Sequence, residues 1–210
     1  MFIFNTIDQA IEDIKLGKPV VVVDNEDREN EGDIIFAAEH ATTELMAFTI
    51  RYTSGFICCS LEPSRLQKLE LPLMVVNNTD PKKTQYSITV DSATNTTTGI
   101  SAHDRSVTVK LLANPKATAG DFYRPGHVVP LFANPKGILG RQGHTEAAIE
   151  LCKLAGCFPA GVLCELVNDD GTMKRRNDCR EFADKHDLKL ISIENLIEYI
   201  TSKNSSTKSS

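Results

Sequence analysis

Between Asp24 and Asp33 the chain reads Asp24-Asn25-Glu26-Asp27-Arg28-Glu29-Asn30-Glu31-Gly32-Asp33, six carboxylates and one arginine in ten residues, directly after the apolar run Val20 to Val23. Acids this close disfavour each other's ionisation unless a cation or a functional role compensates. A divalent metal, Arg28, or a polyhydroxylated or phosphorylated ligand would neutralise them; the alternative is a solvated acidic turn. Their place at a strand end favours a metal-assisted active-site loop. A second group, Arg141-Gln142-Gly143-His144-Thr145-Glu146, sits where a loop becomes a helix. The first N–H groups of a helix have no partner inside it, so with Arg141 and the Thr145 hydroxyl they form a phosphate cradle. His144 at the same mouth can offer its imidazole to a metal, or the stretch is a plain cap beside a surface arginine. The lysine and full glycine spacing of a P-loop are missing.

Three further signals are weaker singly. His127 follows the tight turn Arg124-Pro125-Gly126. Glu165 lies inside the apolar run Gly161 to Val167, where a carboxylate is costly unless paired, outward-facing or functional, making it a general-base candidate. Thr96-Thr97-Thr98-Gly99-Ile100-Ser101 offers hydroxyl donors for sugar or phosphate, or simply a turn.

The elements that must position these groups alternate along the chain. Thr6 to Gln9 is a capping box for a helix with apolar Ile7, Ala10, Ile11 and Ile14, stopped by Gly17 and Pro19. Strands are expected at 19–23, 34–38, 56–61, 87–91, 127–132, 161–167 and 189–191, and helices from Thr42, from Ser101 to about Ala113, at 145–155, at 177–186 and up to Ile200. Leu71 to Lys83 reads as a mobile loop. The connections are too irregular for a doubly wound sheet, so the expectation is one α/β (α+β) domain over residues 1–200, with a mixed β-sheet flanked by helices, and a polar disordered tail at 201–210.

A net charge of -5 argues against a nucleic-acid surface, and no apolar run reaches membrane-spanning length. The N-terminus lacks the features of a signal peptide, and the six cysteines contain no C-x-x-C pair, so reduced thiols in a cytoplasmic protein without structural zinc are expected.

Taken in order, D-x-E-D-R-E-N-E-G-D, T-T-G-I-S-A-x-D-R, R-P-G-H, R-x-G-H-T-E and P-A-G-V-L-C-E-L-x-N-D-D-G-T-M resemble the motifs of 3,4-dihydroxy-2-butanone 4-phosphate synthases of riboflavin biosynthesis, across roughly Ile7 to Tyr199. The chain looks like the stand-alone form, with no room after Tyr199 for a fused GTP cyclohydrolase II domain. The resemblance implies a family-specific fold and a homodimer with active sites near its interface. It implies a Mg2+-dependent lyase, Mn2+ substituting, that converts D-ribulose 5-phosphate to L-3,4-dihydroxy-2-butanone 4-phosphate and formate. Glu29 and His144 would bind metal. Arg28, Glu29, Asp33, Thr97, Thr98 and the segment Arg141, Gln142, Gly143, His144, Thr145 would hold substrate, and His127 and Glu165 would be the acid/base pair. Glu31 and Cys58 would line the pocket, with Cys58 a candidate for redox modification. The rival readings are another metal-dependent sugar-phosphate lyase or isomerase, and a silent metal- or phosphate-binding protein.

Overall fold

The computed structural model describes residues 3–207. Seven strands, β1 (Val20–Val23), β2 (Gly32–Ala37), β3 (Cys58–Leu61), β4 (Val90–Ser92), β5 (Phe122–Phe132), β6 (Ala160–Glu165) and β7 (Lys189–Ser192), form one sheet in the order β4-β5-β3-β6-β2-β1-β7. The β3–β5 and β1–β7 neighbours run parallel and the others antiparallel, so the sheet is mixed, as expected. Helices α1 (Ile7–Lys15), α2 (Thr43–Tyr52), α3 (Pro63–Lys68), α4 (Ala102–Ala113), α5 (His144–Leu154), α6 (Arg176–His186) and α7 (Ile193–Thr207) cover it on both sides.

The two-residue period of strand side chains divides the core into two halves. Val21, Val23, Ile34, Phe36, Cys59, Val162 and Cys164 meet α2, α3, α4 and α6. Val20, Val22, Ile35, Cys58, Leu163 and Ile191 meet α1, α5 and α7. Burying all four residues of β1 contributes about 1.5–3 kcal/mol per valine. A chain with this much apolar surface on both faces can only place polar chemistry at the strand ends, and there the acids are found. The β2–β6 register sets Asp33 opposite Glu165, on the same face as the Ile35–Leu163 pair.

The sequence expectations hold for the capped helices: Thr6, Thr42 and Ser101 each accept from a backbone N–H at the start of α1, α2 and α4. Three features differ. Pro63–Lys68 is helical, with Pro at its first turn, where its missing N–H costs nothing. β5 begins at Phe122, so Arg124-Pro125-Gly126 lies inside a strand; β4 presses so closely there that a Cβ at Gly126 would strike the backbone of Val90 and Asp91. At the end of the Leu71 to Lys83 loop, Asp80 accepts from the Thr84 N–H and Lys82 donates to the Arg28 carbonyl. The expected tail is corrected too: residues 201–207 continue α7, because a helix already packed through Leu196 propagates easily. There the Thr201 and Ser205 hydroxyls donate to carbonyls four residues back. Residues 208–210 of that expected tail lie outside the described residues.

Candidate active site

The β1–β2 connection folds on itself around Asp24. Its buried carboxylate accepts from the Glu29 N–H at 3.0 Å, the Glu31 N–H at 2.9 Å and Arg28 Nη1 at 3.0 Å. Asn30 (φ 55°) takes the left-handed conformation that asparagine tolerates and reverses the chain. Asp24 thus spends its oxygens organising the loop, which leaves Glu29, Glu31 and Asp33 facing inward. Arg28 also pairs with Glu29.

His144 opens α5; the N-cap is Gly143, not Thr145. Its ring is buried, and Nε2 lies 3.1 Å from the Val22 carbonyl. With that nitrogen donating to the carbonyl, Nδ1 turns to Glu29 at 3.6 Å and Asp33 at 3.7 Å. Asp24, Glu29 and His144 bring ligand atoms within 4.8 Å of one another. Asp33 Oδ1 is buried with no hydrogen-bond partner.

These groups shift one another. Burial opposes charge on Glu29, but His144 and Arg28 outweigh it and hold the carboxyl at about 2. Burial pushes Asp33 up to about 8, with Glu165, Glu29 and Glu31 adding to the rise and His144 resisting it. Burial disfavours the His144 imidazolium, yet Asp33, Glu29 and Asp24 raise it to about 9. Glu31 is raised by burial, Glu29 and Glu165. The raised Asp33, Glu31 and His144 say that the wall carries more negative charge than it can solvate and so retains protons, while Glu29 stays ionised against His144 and Arg28. A hard divalent cation accepts oxygen donors and the lone pair of an oriented imidazole, and the orphaned Asp33 oxygen is the kind of atom it satisfies. The residues fit such an ion.

A cavity of about 230 Å³ opens on this wall and is lined by Arg28, Glu29, Glu31, Asp33, Cys58, Arg141, His144, Thr145 and Glu165. Glu165 accepts from the Ser54 hydroxyl at 2.6 Å. Arg141 is held by the buried Glu146 at 2.8 Å and donates to Thr84 Oγ1 at 2.9 Å; Thr84 and Tyr86, just after that loop, complete the lining with Leu131 and Leu163. Larger cavities of about 460 and 580 Å³ are not lined by any buried carboxylate.

Gln142 stands on a neighbouring cavity behind Arg28, of about 340 Å³, while Gly143 caps α5. Cys58 is a wall residue; burial and the nearby Glu165 carboxylate push its thiol well above the ordinary value, which disfavours the thiolate that oxidation requires.

The remaining expected residues gather elsewhere. His127 Nδ1 lies 2.7 Å from Asp91 Oδ2, and its N–H donates to Asp91 Oδ1 at 2.8 Å. Thr97 Oγ1 and the Gly99 N–H both donate to the buried Asp104, at 2.8 and 2.9 Å, fixing the Thr97–Thr98 turn beside that histidine. Both β5 and β6 flank β3, so about two inter-strand spacings, roughly 10 Å, separate His127 from Glu165 along the sheet. The sequence motifs contain Asp91 and Ser54 in no way that marks them as partners; residues 36 and 111 positions apart meet only in the fold.

Gly99 has φ 93°, and a Cβ there would collide with Asp91 and come within 2.6 Å of His127 Nδ1. Gly99→Ala should therefore loosen the His127–Asp91 pair and cost about 1–3 kcal/mol of stability. A thermal midpoint and His127 chemical shift unchanged from the parent would refute this account of the turn.

Buried acids, an oriented histidine and two arginines around one small open cavity are the equipment of an enzyme for a small anionic substrate. The model of the 3,4-dihydroxy-2-butanone 4-phosphate synthase family matches residues 8–199. A 3,4-dihydroxy-2-butanone 4-phosphate synthase of Candida albicans is 53% identical over 200 residues, covering 95% of this chain and 98% of that protein. Riboflavin biosynthesis protein RibBA of Aquifex aeolicus is 54% identical, covering 94% of this chain and 49% of that protein, so the chain spans about half its length. A crystal structure of 3,4-dihydroxy-2-butanone 4-phosphate synthase in complex with two magnesium ions superposes with a TM-score of 0.94 at 45% identity, covering 96% of this chain and 99% of that one. The chain belongs to the 3,4-dihydroxy-2-butanone 4-phosphate synthase family.

Proposed function

We propose that the protein converts D-ribulose 5-phosphate to L-3,4-dihydroxy-2-butanone 4-phosphate and formate, as a cytoplasmic, Mg2+-dependent lyase acting as a homodimer. The observation that carries this reading is the convergence of Glu29, Asp33, His144 and Glu165 with Arg28 and Arg141 on one cavity. Glu29 and His144 are the protein ligands of the ion, with Asp33 close by. When bound, Mg2+ (or Mn2+) supplies a Lewis acid for adjacent substrate oxygens and the negative charge that develops on them. Arg141 and Thr145, at the mouth of α5, take the phosphate, with Gln142 and Gly143 shaping the approach. Arg28 and Asp33 hold the sugar, and Glu31 and Cys58 wall the pocket. Glu165, oriented by Ser54, moves protons at the reacting carbons. The six unpaired cysteines suit a reducing compartment.

His127 and the Thr97–Thr98 turn do not line this cavity, and a two-fold assembly gives that separation a purpose. The His127 cluster of one copy serves the cavity of the other. Ile100 after the Thr97–Thr98 turn, Tyr123 on β5 and Phe56 just before β3, exposed by 51%, 63% and 49%, support burial of that surface in a dimer. Asp91 holds His127 through Nδ1, which leaves Nε2 for proton transfer.

The direct test is incubation with ribulose 5-phosphate, with and without Mg2+, and assay of formate. An aldose product without formate would favour a sugar-phosphate isomerase instead. Arg141→Ala should raise KM by about tenfold or more, as expected for a charge-assisted contact of roughly 1.5–3 kcal/mol. Because the change also strands the buried Glu146, the thermal midpoint must be followed beside it. Unchanged kinetics in a folded variant would move the phosphate elsewhere.

A further inference from the structure

Asp33 and Glu165 mark one end of the β2–β6 pair; where Ala37 faces Gly161, at the other end, a second set of donors gathers. Glu39 and His40 stand on the 3-10 turn Ala38–His40 that follows β2, and Cys157 on the turn between α5 and β6. They offer a carboxylate oxygen, an imidazole nitrogen and a thiol sulfur, all within 4.8 Å of one another. Cys157 Sγ lies 3.7 Å from His40 Nε2, and Glu39 Oε1 lies 4.0 Å from that same nitrogen. A tetrahedral ion with bonds of about 2.3 Å to sulfur and 2.0 Å to nitrogen and oxygen holds such atoms roughly 3.3–3.6 Å apart. The two pairs at His40 Nε2 therefore need less than about 1 Å of contraction, and the sulfur and carboxylate already lie within 4.8 Å of each other.

The backbone supports this arrangement. The Phe158 N–H donates to Glu39 Oε1 at 3.1 Å and holds the carboxylate over Cys157. Gly17, at φ 77°, leaves room for the His40 ring, since a Cβ there would lie 3.2 Å from His40 Cβ. Cys157 is also the one cysteine of the six that is not buried.

We propose that Glu39, His40 and Cys157 form a surface site for a borderline-soft divalent transition metal such as Zn2+, with water as the fourth ligand. Sulfur and imidazole donors select such an ion over Mg2+, which prefers the all-oxygen surroundings that the cavity supplies more nearly. As the sulfur–metal bond forms, the Cys157 S–H bond breaks and its proton passes to solvent; nothing is oxidised or reduced. Occupancy ties the end of β2 to the α5–β6 turn, four residues of strand, or about 13 Å, from Asp33.

The test uses the full chain with excess Mg2+ present and Co2+ as the optical probe. One equivalent of Co2+ should produce the near-ultraviolet sulfur-to-cobalt charge-transfer band. Zn2+ should displace that band and slow modification of Cys157 by a thiol reagent, while added Mg2+ should do neither. Cys157→Ser should remove the band, and His40→Ala should weaken Co2+ binding by about 10-fold or more. Both variants should keep the parent's circular dichroism and Mg2+-supported activity, since neither residue touches the cavity. Absence of the band in the parent overturns the proposal. Persistence of the band in Cys157→Ser overturns it as well, because the sulfur would then be another cysteine.

Discussion

His144→Ala is expected to abolish formate release, by about 10²-fold or more, while leaving the fold in place. Alanine is a good first-turn helix residue, so the substitution removes the imidazole without opposing α5. What is lost is the Val22 carbonyl contact and the Nδ1 that faces Glu29 and Asp33. Glu29→Gln should act in the same way through the opposite side of the ion, with partial recovery as Mg2+ is raised, because an amide oxygen is a weaker ligand than a carboxylate. Formate assays against Mg2+ concentration, with circular dichroism as the control for folding, decide the matter. Near-normal turnover of either variant at ordinary Mg2+ would remove these residues from the metal site.

Glu165→Gln is expected to lower kcat by about 10²-fold with little change in KM. Glutamine keeps the shape and can still accept from Ser54, so substrate and metal binding should survive while proton transfer does not. His127→Ala should give the same kinetic signature from the other cluster. Because the two residues sit apart on one chain, mixing the two inactive variants offers a sharper measurement. In a dimer with shared sites, random exchange would restore one intact site in each heterodimer, or about a quarter of all sites. Recovery of activity toward that level supports shared sites. No recovery, with subunit exchange demonstrated by mass spectrometry, would place His127 and Glu165 in the same chain's site or outside the chemistry.

Much of this was legible in the sequence because local rules and chemistry agreed. The caps at Thr6, Thr42 and Ser101, the apolar runs and the acidic loop each carry their signal within a few residues. The loss of signal is equally physical. α3 is six residues long and lacks a side-chain cap, so it has little periodicity to read. The start of β5 hides behind Pro125 and Gly126, which usually punctuate turns but here suit a place where β4 crosses too near for a side chain. The serine-rich end of α7 has weak intrinsic helicity and borrows order from its packed first turns. At the site, the residue types announced themselves, but their second partners did not. Asp24 looked like one more acid of the loop, yet it is the one whose oxygens are consumed by backbone N–H groups. Asp91, Ser54 and Glu146 orient His127, Glu165 and Arg141 across long stretches of chain. Such pairings follow from strand order and register, which no short window contains.

The placement of His144 against Val22, 122 residues earlier, also bears on how the molecule comes into being. During synthesis the acidic hairpin emerges long before α5, and β2 finds its inner neighbour only when β6 has left the ribosome. Until then the chain has carboxylates but no complete claw for an ion. Magnesium should therefore stabilise the finished protein by slowing its unfolding, and leave the refolding rate nearly untouched, since contacts of such long range close late. On the proposed reading, the ion would inspect the completed sheet and take no part in laying it down.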